Sequence, residues 1–319
     1  MRNLNKALSE VLTGILICWL LIPSITAQGT WEKIELPTKQ TLWTIFFIDS
    51  ITGWVAGDSG MILHTKDGGD SWVQQNTQTL NEFTDVIFLD ARKGWASSLN
   101  YATPPYGTVL YKTVDGGETW NAYDYPYEDI FITSIWYRDS LEGWMGGRPH
   151  AIVKTTDGGY SWEQAYVEPA TLSTFPVLSI QFYDEKYGYA SGGIFDIAGV
   201  IWRTHDGGKK WYVIDIDDAP ADEVREIHIY DSLNAIGAGG DPDFGYGVGM
   251  IRTSDGGLNW DYEELGIQGY VSDIDFRTDK EVWAPLGVRE KLIYSLDGTA
   301  TWTEITPPDS VVIYKMTFP

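Results

Sequence analysis

The chain has 319 residues and a formal net charge of −23, from 45 acidic and 22 basic side chains. This acidic balance excludes a protein that binds nucleic acid through a broad basic face, and it disfavours docking on anionic lipid. A 43% hydrophobic fraction, together with 34 glycines, 15 tryptophans and 19 tyrosines, indicates a folded, turn-rich β protein.

The first 27 residues have the pattern of a secretory signal peptide. Arg2 and Lys6 precede an apolar stretch that ends at Pro23, and the small residues up to Ala27 are typical of a cleavage site. An uncleaved N-terminal anchor is the alternative. We therefore predict a secreted, periplasmic or cell-surface protein.

Residues 28–319 are predicted to form one domain. The single cysteine, Cys18, lies in the leader, so the mature domain has no disulfide, thiol catalyst or zinc–cysteine site. After the leader, no apolar run is long enough to predict a transmembrane segment. The domain must therefore be stabilised by its hydrophobic core.

An eight-residue box of the form Thr-x-Asp-Gly-Gly-x-Ser-Trp recurs six times, at intervals of 42 to 49 residues. Its aspartate and final tryptophan are Asp67 and Trp72, Asp115 and Trp120, Asp157 and Trp162, Asp206 and Trp211, Asp255 and Trp260, and Asp297 and Trp302. The carboxylate can accept N–H groups within a turn, the glycines permit positive φ, and the indole can be buried against a sheet. We interpret these positions as structural turn residues, and not as catalytic ones.

Three positions depart from the box pattern. Lys210 and Asn259 stand where the other boxes have Ser or Thr before the tryptophan, and Thr299 replaces the second glycine. We expect these turns to be looser than the others.

Each box lies in a longer unit of four short strands. In the first unit an apolar strand, TIFFID, is followed by GWVAG, by MILHT leading into the box, and by WVQQN after it. Four short strands in fewer than fifty residues are typical of a propeller blade. The sequence therefore predicts an all-β β-propeller with six complete blades, each a four-stranded antiparallel sheet.

Two fragments remain outside the six units. Residues 31–36 (WEKIEL) match a fourth strand, and residues 311–318 (VVIYKMTF) match a first strand. Together they predict an incomplete seventh blade formed by both termini. A six-bladed ring with its ends packed on the flank is the alternative. Because the second and third strands of that blade are missing, we expect the native chain to continue past Pro319.

The box resembles the Asp-box, or BNR, repeat of sialidases, sortilins and related propellers. The longer unit, for example IFFIDSITGWVAGDSGMILHTKDGGDSW, is more specifically similar to the photosystem II assembly and stability factors of cyanobacteria and plastids. The resemblance extends from residue 31 to residue 318. It implies seven blades and an assembly factor or scaffold that binds a protein partner.

The loops between second and third strands are long on one face, here called the upper face. Long loops on a rigid scaffold commonly carry binding residues, and aromatic and acidic tips suit contacts with protein or sugar. The candidate binding residues are Tyr101, Tyr106, Phe195, Asp196, Asp241, Asp243, Phe244 and Tyr246. The alternative is that these loops are merely solvated.

The first strands are expected to line the central channel. They place Asp85, Arg225, Glu226 and Asp273 at or near its mouth, which would make it polar and net acidic. Such a mouth could hold a cation or a basic peptide. The alternative is that it holds only water.

Catalytic interpretations have less support. A sialidase needs an arginine cluster and its Arg-Ile-Pro motif, of which Arg148-Pro149 is only a fragment. The protease-like tetrapeptide Gly57-Asp58-Ser59-Gly60 falls in a predicted tight turn, and no matching histidine segment accompanies it. No two histidines have metal-ligand spacing, so we predict no metal and no cofactor.

The sequence thus predicts a secreted, non-catalytic propeller that acts as a protein-binding or assembly scaffold and does not bind nucleic acid. The alternative is a glycan-active, sialidase-like hydrolase or a carbohydrate-binding propeller.

Overall fold

The computed structural model describes residues 31, 33–214, 216, 222–241, 247–307 and 311–319. Residues 34–319 form one compact unit and residues 1–33 another, of which only Trp31 and Lys33 are described. The predicted leader, residues 1–27, lies outside the described residues. Within the described part of the chain, no helix has the length and apolarity needed to cross a bilayer.

Six four-stranded antiparallel sheets follow one another along the chain, and we number them blades 1 to 6. The first three contain β1 (Leu42–Phe47), β2 (Gly53–Gly57), β3 (Ile62–Thr65) and β4 (Val73–Gln74); β5 (Glu82–Phe88), β6 (Gly94–Asn100), β7 (Gly107–Thr113) and β8 (Asn121–Asp124); and β9 (Phe131–Tyr137), β10 (Gly143–Arg148), β11 (Ala151–Thr155) and β12 (Glu163–Gln164).

The other three blades repeat this order with two additional short strands. Their strands are β13 (Tyr166–Val167), β14 (Val177–Phe182), β15 (Gly188–Ile194), β16 (Ala198–Thr204) and β17 (Lys210–Val213); β18 (Val224–Ile229), β19 (Ala235–Asp241), β20 (Val248–Thr253), β21 (Asp261–Glu264) and β22 (Gly269–Tyr270); and β23 (Asp275–Phe276), β24 (Val282–Pro285), β25 (Leu292–Ser295) and β26 (Thr303–Ile305). Strand β13 pairs in parallel with β17, and β22 pairs with β19. The predicted fold class, an all-β propeller with six four-stranded blades, is confirmed.

The hydrophobic core lies between neighbouring blades. Trp144 of blade 3 is fully buried and packs on Phe182 of blade 4, with 4.1 Å between the ring centroids. The box tryptophan of blade 4, Trp211, meets the same Phe182 edge-on at 81°. Such aromatic contacts contribute about 0.5–1.5 kcal/mol each beyond the burial of apolar area. The tryptophans therefore stabilise the joints between blades as well as the blades themselves.

The boxes also join neighbouring blades through hydrogen bonds. Lys154, near the end of β11, donates from Nζ to the carbonyl of Gly207 in the next box at 3.1 Å. In blade 1 the equivalent position is His64, and Gln75 provides the link by donating to the carbonyl of Gly116 at 2.7 Å. A Cβ at the second glycine of the fourth box, Gly208, would lie 2.1 Å from Trp144 Nε1. That glycine is needed both for its positive φ and for the close approach of the preceding blade.

The three boxes that depart from the sequence pattern differ in how they replace the missing group. Asn259 donates from Nδ2 to Asp255 Oδ2 at 2.6 Å, which replaces the usual hydroxyl bond. The expectation of a looser turn at Asn259 is therefore wrong. Lys210 contributes only its backbone N–H to Asp206. Thr299 adopts a φ of +76°. In the preceding blade, blade 5, Ile236 stands at the position that Trp144 has in blade 3, and the smaller side chain leaves room for that of Thr299.

The strands predicted for a seventh blade are not formed in the described residues 33–36 and 311–319. A single bridge joins Ile313 to Gly287 of blade 6. Leu36 packs with Val55 and Leu63 on the face of blade 1 that points away from blade 2. Both terminal segments thus lie against blades without extending a sheet.

Candidate functional site

The first strands surround a central cavity of about 650 Å³. Its wall includes one residue from the same repeat position of each blade, which in blade 6 comes two residues before β23, and one from the C-terminal segment: Thr44, Asp85, Ser134, Ser179, Glu226, Asp273 and Lys315. The structure thus brings the predicted mouth residues Asp85, Arg225, Glu226 and Asp273 to the wall of one cavity.

Lys315 is the cation in the middle of this wall. Its Nζ lies 3.1 Å from Glu226 Oε2 and 3.1 Å from Asp273 Oδ1. Asp85 accepts the hydroxyl of Thr44 and the backbone N–H of Ile135. The channel carboxylates therefore have partners on adjacent blades.

Burial changes the acidity of these groups. It raises the pKa of Asp85 to about 6, although Lys315 and the N–H donors act in the opposite direction. Burial also raises the pKa of Asp273. Burial alone would lower the pKa of Lys315, but the carboxylates of Asp273, Glu226 and Asp85 outweigh it and raise that pKa well above its usual value.

Two arginines stand at the upper end of the cavity. Arg148 Nη2 lies 2.9 Å from Glu223 Oε2, and Arg225 Nη2 lies 3.4 Å from Glu223 Oε1. The Glu223 side chain is fully buried, whereas those of Arg148 and Arg225 are 39% and 27% exposed. The two guanidinium groups share one buried carboxylate, so this trio alone carries one net positive charge, and the acids Glu82 and Asp222 lie nearby. We call Arg148, Glu223 and Arg225 the arginine pair site.

Aromatic rings flank the arginine pair site. The guanidinium of Arg225 lies 4.5 Å from the ring centroid of Tyr270 and 5.3 Å from that of Phe195. Stacking of this kind holds the guanidinium plane in place while its edge stays available for a bidentate carboxylate. Phe195 is the one predicted loop aromatic that the described structure places directly on this site.

The other predicted loop residues are more dispersed. Tyr101 and Tyr106 are 58% and 43% exposed, and the Tyr101 ring stacks on Phe131 at 4.8 Å. Burial and then the field of Glu82 raise the pKa of Tyr101, while the field of Arg148 acts in the opposite direction. Tyr101 is thus near the arginine pair site. Asp243, Phe244 and Tyr246 lie outside the described residues.

The remaining loop acids form a separate cluster. Asp196, Asp222 and Asp241 place carboxylate oxygens within 4.8 Å of one another, and the backbone N–H of Asp196 donates to Asp222. Burial raises the pKa of Asp222, and the neighbouring acids add to the shift. Sequence reasoning predicted no metal site. This cluster has a geometry that a cation could use, although acidic groups of this kind are common without one.

The box aspartates have a different environment. Asp67 accepts the side-chain and backbone donors of Ser71 and the hydroxyl of Thr65, and these bonds lower its pKa to about 2. Each of the six aspartates lies in its own turn, bonded to residues of that turn. This arrangement holds turns together and gathers no reactive pocket.

Sequence reasoning missed Glu223 and Tyr270. Glu223 comes one residue before β18, in a stretch for which the sequence made no prediction. Arg148 was noticed only as a fragment of another motif. The sequence does show an arginine at the upper end of one strand in each of two blades, Arg148 and Arg225. That both pair with the same glutamate can be recognised only from the arrangement of the blades around the ring.

Comparison with known proteins gives a consistent family. The model of the family described as "Photosynthesis system II assembly factor YCF48" matches residues 24–97 and 73–228, which is more than half of the chain. The photosystem II assembly lipoprotein Ycf48 of Synechococcus sp. is 25% identical over 66% of this chain, which spans 58% of that relative's length. The protein of the same name from Nostoc sp. is 27% identical over 98% of this chain and 89% of its own length.

Solved structures agree on the fold. The structure titled "YCF48 bound to D1 peptide" has a TM-score of 0.66 at 22% identity, covering 88% of this chain and 85% of its own. A GH74 enzyme from Niastella koreensis has a TM-score of 0.65 at 13% identity, covering 85% of this chain and 46% of its own. At these identities the likeness shows a shared propeller fold alone.

Proposed function

From the premise that this chain belongs to the photosystem II assembly factor YCF48 family, we propose that it is a non-catalytic assembly scaffold that binds an extended segment of a protein partner at the upper mouth of the channel. Family membership supports the scaffold role. The arginine pair site is the observation that carries the location.

The chemistry of the mouth defines the ligand. Two guanidinium groups held by one buried carboxylate suit an acidic side chain or a free C-terminal carboxylate, which Arg binds with two parallel hydrogen bonds. Phe195, beside Arg225, and the exposed Tyr101 supply aromatic surface of the kind enriched in protein-binding sites, while the buried Tyr270 holds Arg225 in place. The related structure with a bound D1 peptide supports a peptide ligand as a class.

We further propose that residues 311–318 take the place of the first strand of a seventh blade. Met316 N–H donates to Asp273 Oδ2 at 2.8 Å, which repeats the bond from Ile135 N–H to Asp85 Oδ2 at 2.8 Å between blades 2 and 3. The Tyr314 ring lies 4.6 Å from that of Trp43 in blade 1. Cysteines replacing Trp43 and Tyr314 should be joined by a short bifunctional thiol-reactive crosslinker in the mature protein; modification of the two thiols without any crosslink would contradict this placement.

The proposal includes export. Two relatives are named lipoproteins, which supports a periplasmic or membrane-associated location, and residues 1–27 have signal-peptide features. N-terminal sequencing of the protein recovered from its host should begin at Gln28. An intact Met1 would contradict cleavage.

The binding site can be tested with a displayed library of peptides that have free C-termini. Peptides selected on the wild-type protein should carry a carboxylate next to an aromatic residue. They should lose binding to the triple variant R148Q/E223Q/R225Q, in which replacing the glutamate as well avoids leaving a buried carboxylate unpaired. The control is Arg277→Gln, which removes an exposed arginine distant in sequence from this site.

Two outcomes would contradict the proposal. Equal binding by the triple variant and by the wild type, with both proteins folded, would remove the arginine pair site from the interface. Turnover of a fluorogenic glycoside panel that Asp273→Asn abolishes would favour a glycan-active enzyme over a scaffold.

A further inference from the structure

The C-terminal segment is held in the channel wall differently from the six first strands. Strands such as β5 and β9 pair along their length with the second strand of their own blade. Within the described residues, segment 311–318 has one bridge, from Ile313 to Gly287. Its other backbone hydrogen bonds run to side chains: Met316 N–H to Asp273 at 2.8 Å, Phe318 N–H to Asp275 at 2.6 Å, and a longer bond from the Ser272 hydroxyl to Ile313 O at 3.5 Å. The attachment of the segment thus depends mainly on the carboxylates of blade 6.

Without Lys315, the side chains around this segment would carry an excess of negative charge. Its side chain lies between Glu226 of blade 5 and Asp273 of blade 6, and Asp85 of blade 2 is close enough to raise its pKa. Asp273 is nearly fully buried, whereas 34% of the Lys315 side chain is open to the channel. Carboxylates forced together out of bulk water repel each other and resist ionisation.

Two further titratable groups face the same region. Asp275 of blade 6 has a pKa raised by burial, and Lys315 acts against that shift. His228 of blade 5 stacks on Phe276 at 4.3 Å, and burial lowers its pKa, so it adds no positive charge at neutral pH. Arg225, nearer the mouth, is held by Glu223. Among the groups that face the segment inside the channel, Lys315 is therefore the cation that balances these acids.

We propose that residues 311–318 form a clasp that closes the channel wall between blades 6 and 1, and that Lys315 is the counter-ion that keeps this clasp closed at neutral pH. The inference concerns the closure of the ring and does not depend on what binds at the arginine pair site. The clasp can open locally, and the ionisation of the surrounding carboxylates determines the pH range over which its stability changes.

The direction of the pH dependence follows from the carboxylates. Burial raises the pKa values of the channel carboxylates overall, but the groups of the clasp itself, Lys315 and the backbone N–H groups of Met316 and Phe318, lower them. Closure therefore favours the ionised carboxylates, and it is strengthened as pH rises through the raised pKa values, which for Asp85 is about 6. Lys315 offsets the resulting negative charge, so its importance grows between pH 5 and pH 8.

The test is amide hydrogen exchange on the full mature chain. In Lys315→Met, the protection factor of peptides covering residues 311–318 should fall about tenfold at pH 8, the change that corresponds to one pKa unit. The loss should be clearly smaller at pH 5. Peptides covering the boxes of blades 2 to 4 should stay unchanged. Lys315→Arg, which retains the charge, should keep most of the protection.

A rescue variant separates charge balance from packing. Adding Glu226→Gln and Asp273→Asn to Lys315→Met should restore most of the protection, because the two carboxylates that pair directly with Lys315 are then neutral, and the amide oxygen introduced at position 273 can still accept the Met316 N–H. Unchanged protection in Lys315→Met at pH 8, or failure of the rescue in a folded protein, would overturn the proposal. If Lys315→Met does not fold, the wild type decides: the protection factors of residues 311–318 should rise from pH 5 to pH 8 as the carboxylates that pair with Lys315 ionise, and constant or falling protection would contradict the clasp.

Discussion

The aspartates of the boxes and the aspartates of the channel have opposite environments, and their pKa values shift in opposite directions. Asp67, on the lower face, is exposed to solvent and surrounded by donors, and those bonds lower its pKa to about 2. Asp85 is half-buried in the channel wall, and this loss of contact with solvent raises its pKa to about 6. A carboxylate with satisfied bonds makes a turn rigid, whereas a carboxylate in a buried, shared field can respond to pH and to a cation. The difference teaches that repetition marks architecture here, and that irregular positions carry the candidate functions.

The largest expected effect tests whether the boxes are joints between blades. Trp144→Ala removes a fully buried ring that contacts both Phe182 and the box at Gly208. Its free energy of unfolding should fall by about 3–5 kcal/mol, the usual cost of such a cavity. Leu258→Ala, at an exposed box position, is the matched control and should change little. If the two variants lower the free energy of unfolding by equally small amounts in urea denaturation, Trp144 does not stabilise the contact between blades 3 and 4.

A smaller effect isolates the hydrogen bonds of a single box. Thr155 donates its hydroxyl to Asp157 at 2.8 Å and accepts the N–H of Gly159 at 2.9 Å, with almost no exposure to solvent. Thr155→Val should lower the free energy of unfolding by about 1–3 kcal/mol, because Gly159 N–H loses its acceptor. Thr155→Ser retains the hydroxyl and should be close to wild type. A Val variant as stable as the Ser variant would mean that the box network contributes nothing.

In the sixth box, where Thr299 replaces a glycine, a substitution is expected to increase stability. Thr299 holds φ at +76°, which is unfavourable for a β-branched residue. Thr299→Gly should raise the free energy of unfolding by about 1 kcal/mol, since the left-handed conformation costs about 1–2 kcal/mol for residues with a Cβ. Chemical denaturation measures the change. A loss of stability would show that the Thr299 side chain packs well enough to offset its strain.

The smallest effect is on the pH profile of thermal unfolding. Asp85 has a raised pKa, so its contribution to stability is lost as pH rises through about 6. The box aspartates have lowered pKa values, so their contribution is lost as pH falls from 3.8 towards 2. The melting temperature should therefore be highest in mild acid. A maximum at pH 8 would contradict the channel assignment, and a decline that begins above pH 5 on acidification would contradict the box assignment.

The sequence predicted the blades well because the relevant signals are local. The box and the alternating apolar strands require only neighbouring residues, so six copies identify the unit and its period. The glycines before each box tryptophan were predicted for their φ values, but the approach of Trp144 to Gly208 across a blade joint could not be predicted. That contact depends on how one sheet stacks on the next.

The candidate site was less predictable for the same reason. Arg148 and Glu223 are separated by 75 residues, and only the closed ring brings them within 2.9 Å. The positions of Asp85, Glu226 and Asp273 at the channel were expected from the first strands. The charge balance of the channel depends on exposure, which the sequence does not encode locally. The tolerance of Asn259 in its box was misjudged because an amide can supply the same donor as a hydroxyl.

Site-specific photo-crosslinking tests the central claim most directly. A photoreactive phenylalanine analogue at Tyr101, beside the upper mouth, or at Tyr160, in a box on the lower face, would be introduced into the protein in its host. Both side chains are well exposed, so the two probes have comparable access to partners. The account predicts a discrete protein adduct from position 101 and none from position 160. An adduct that forms only from position 160 would contradict it.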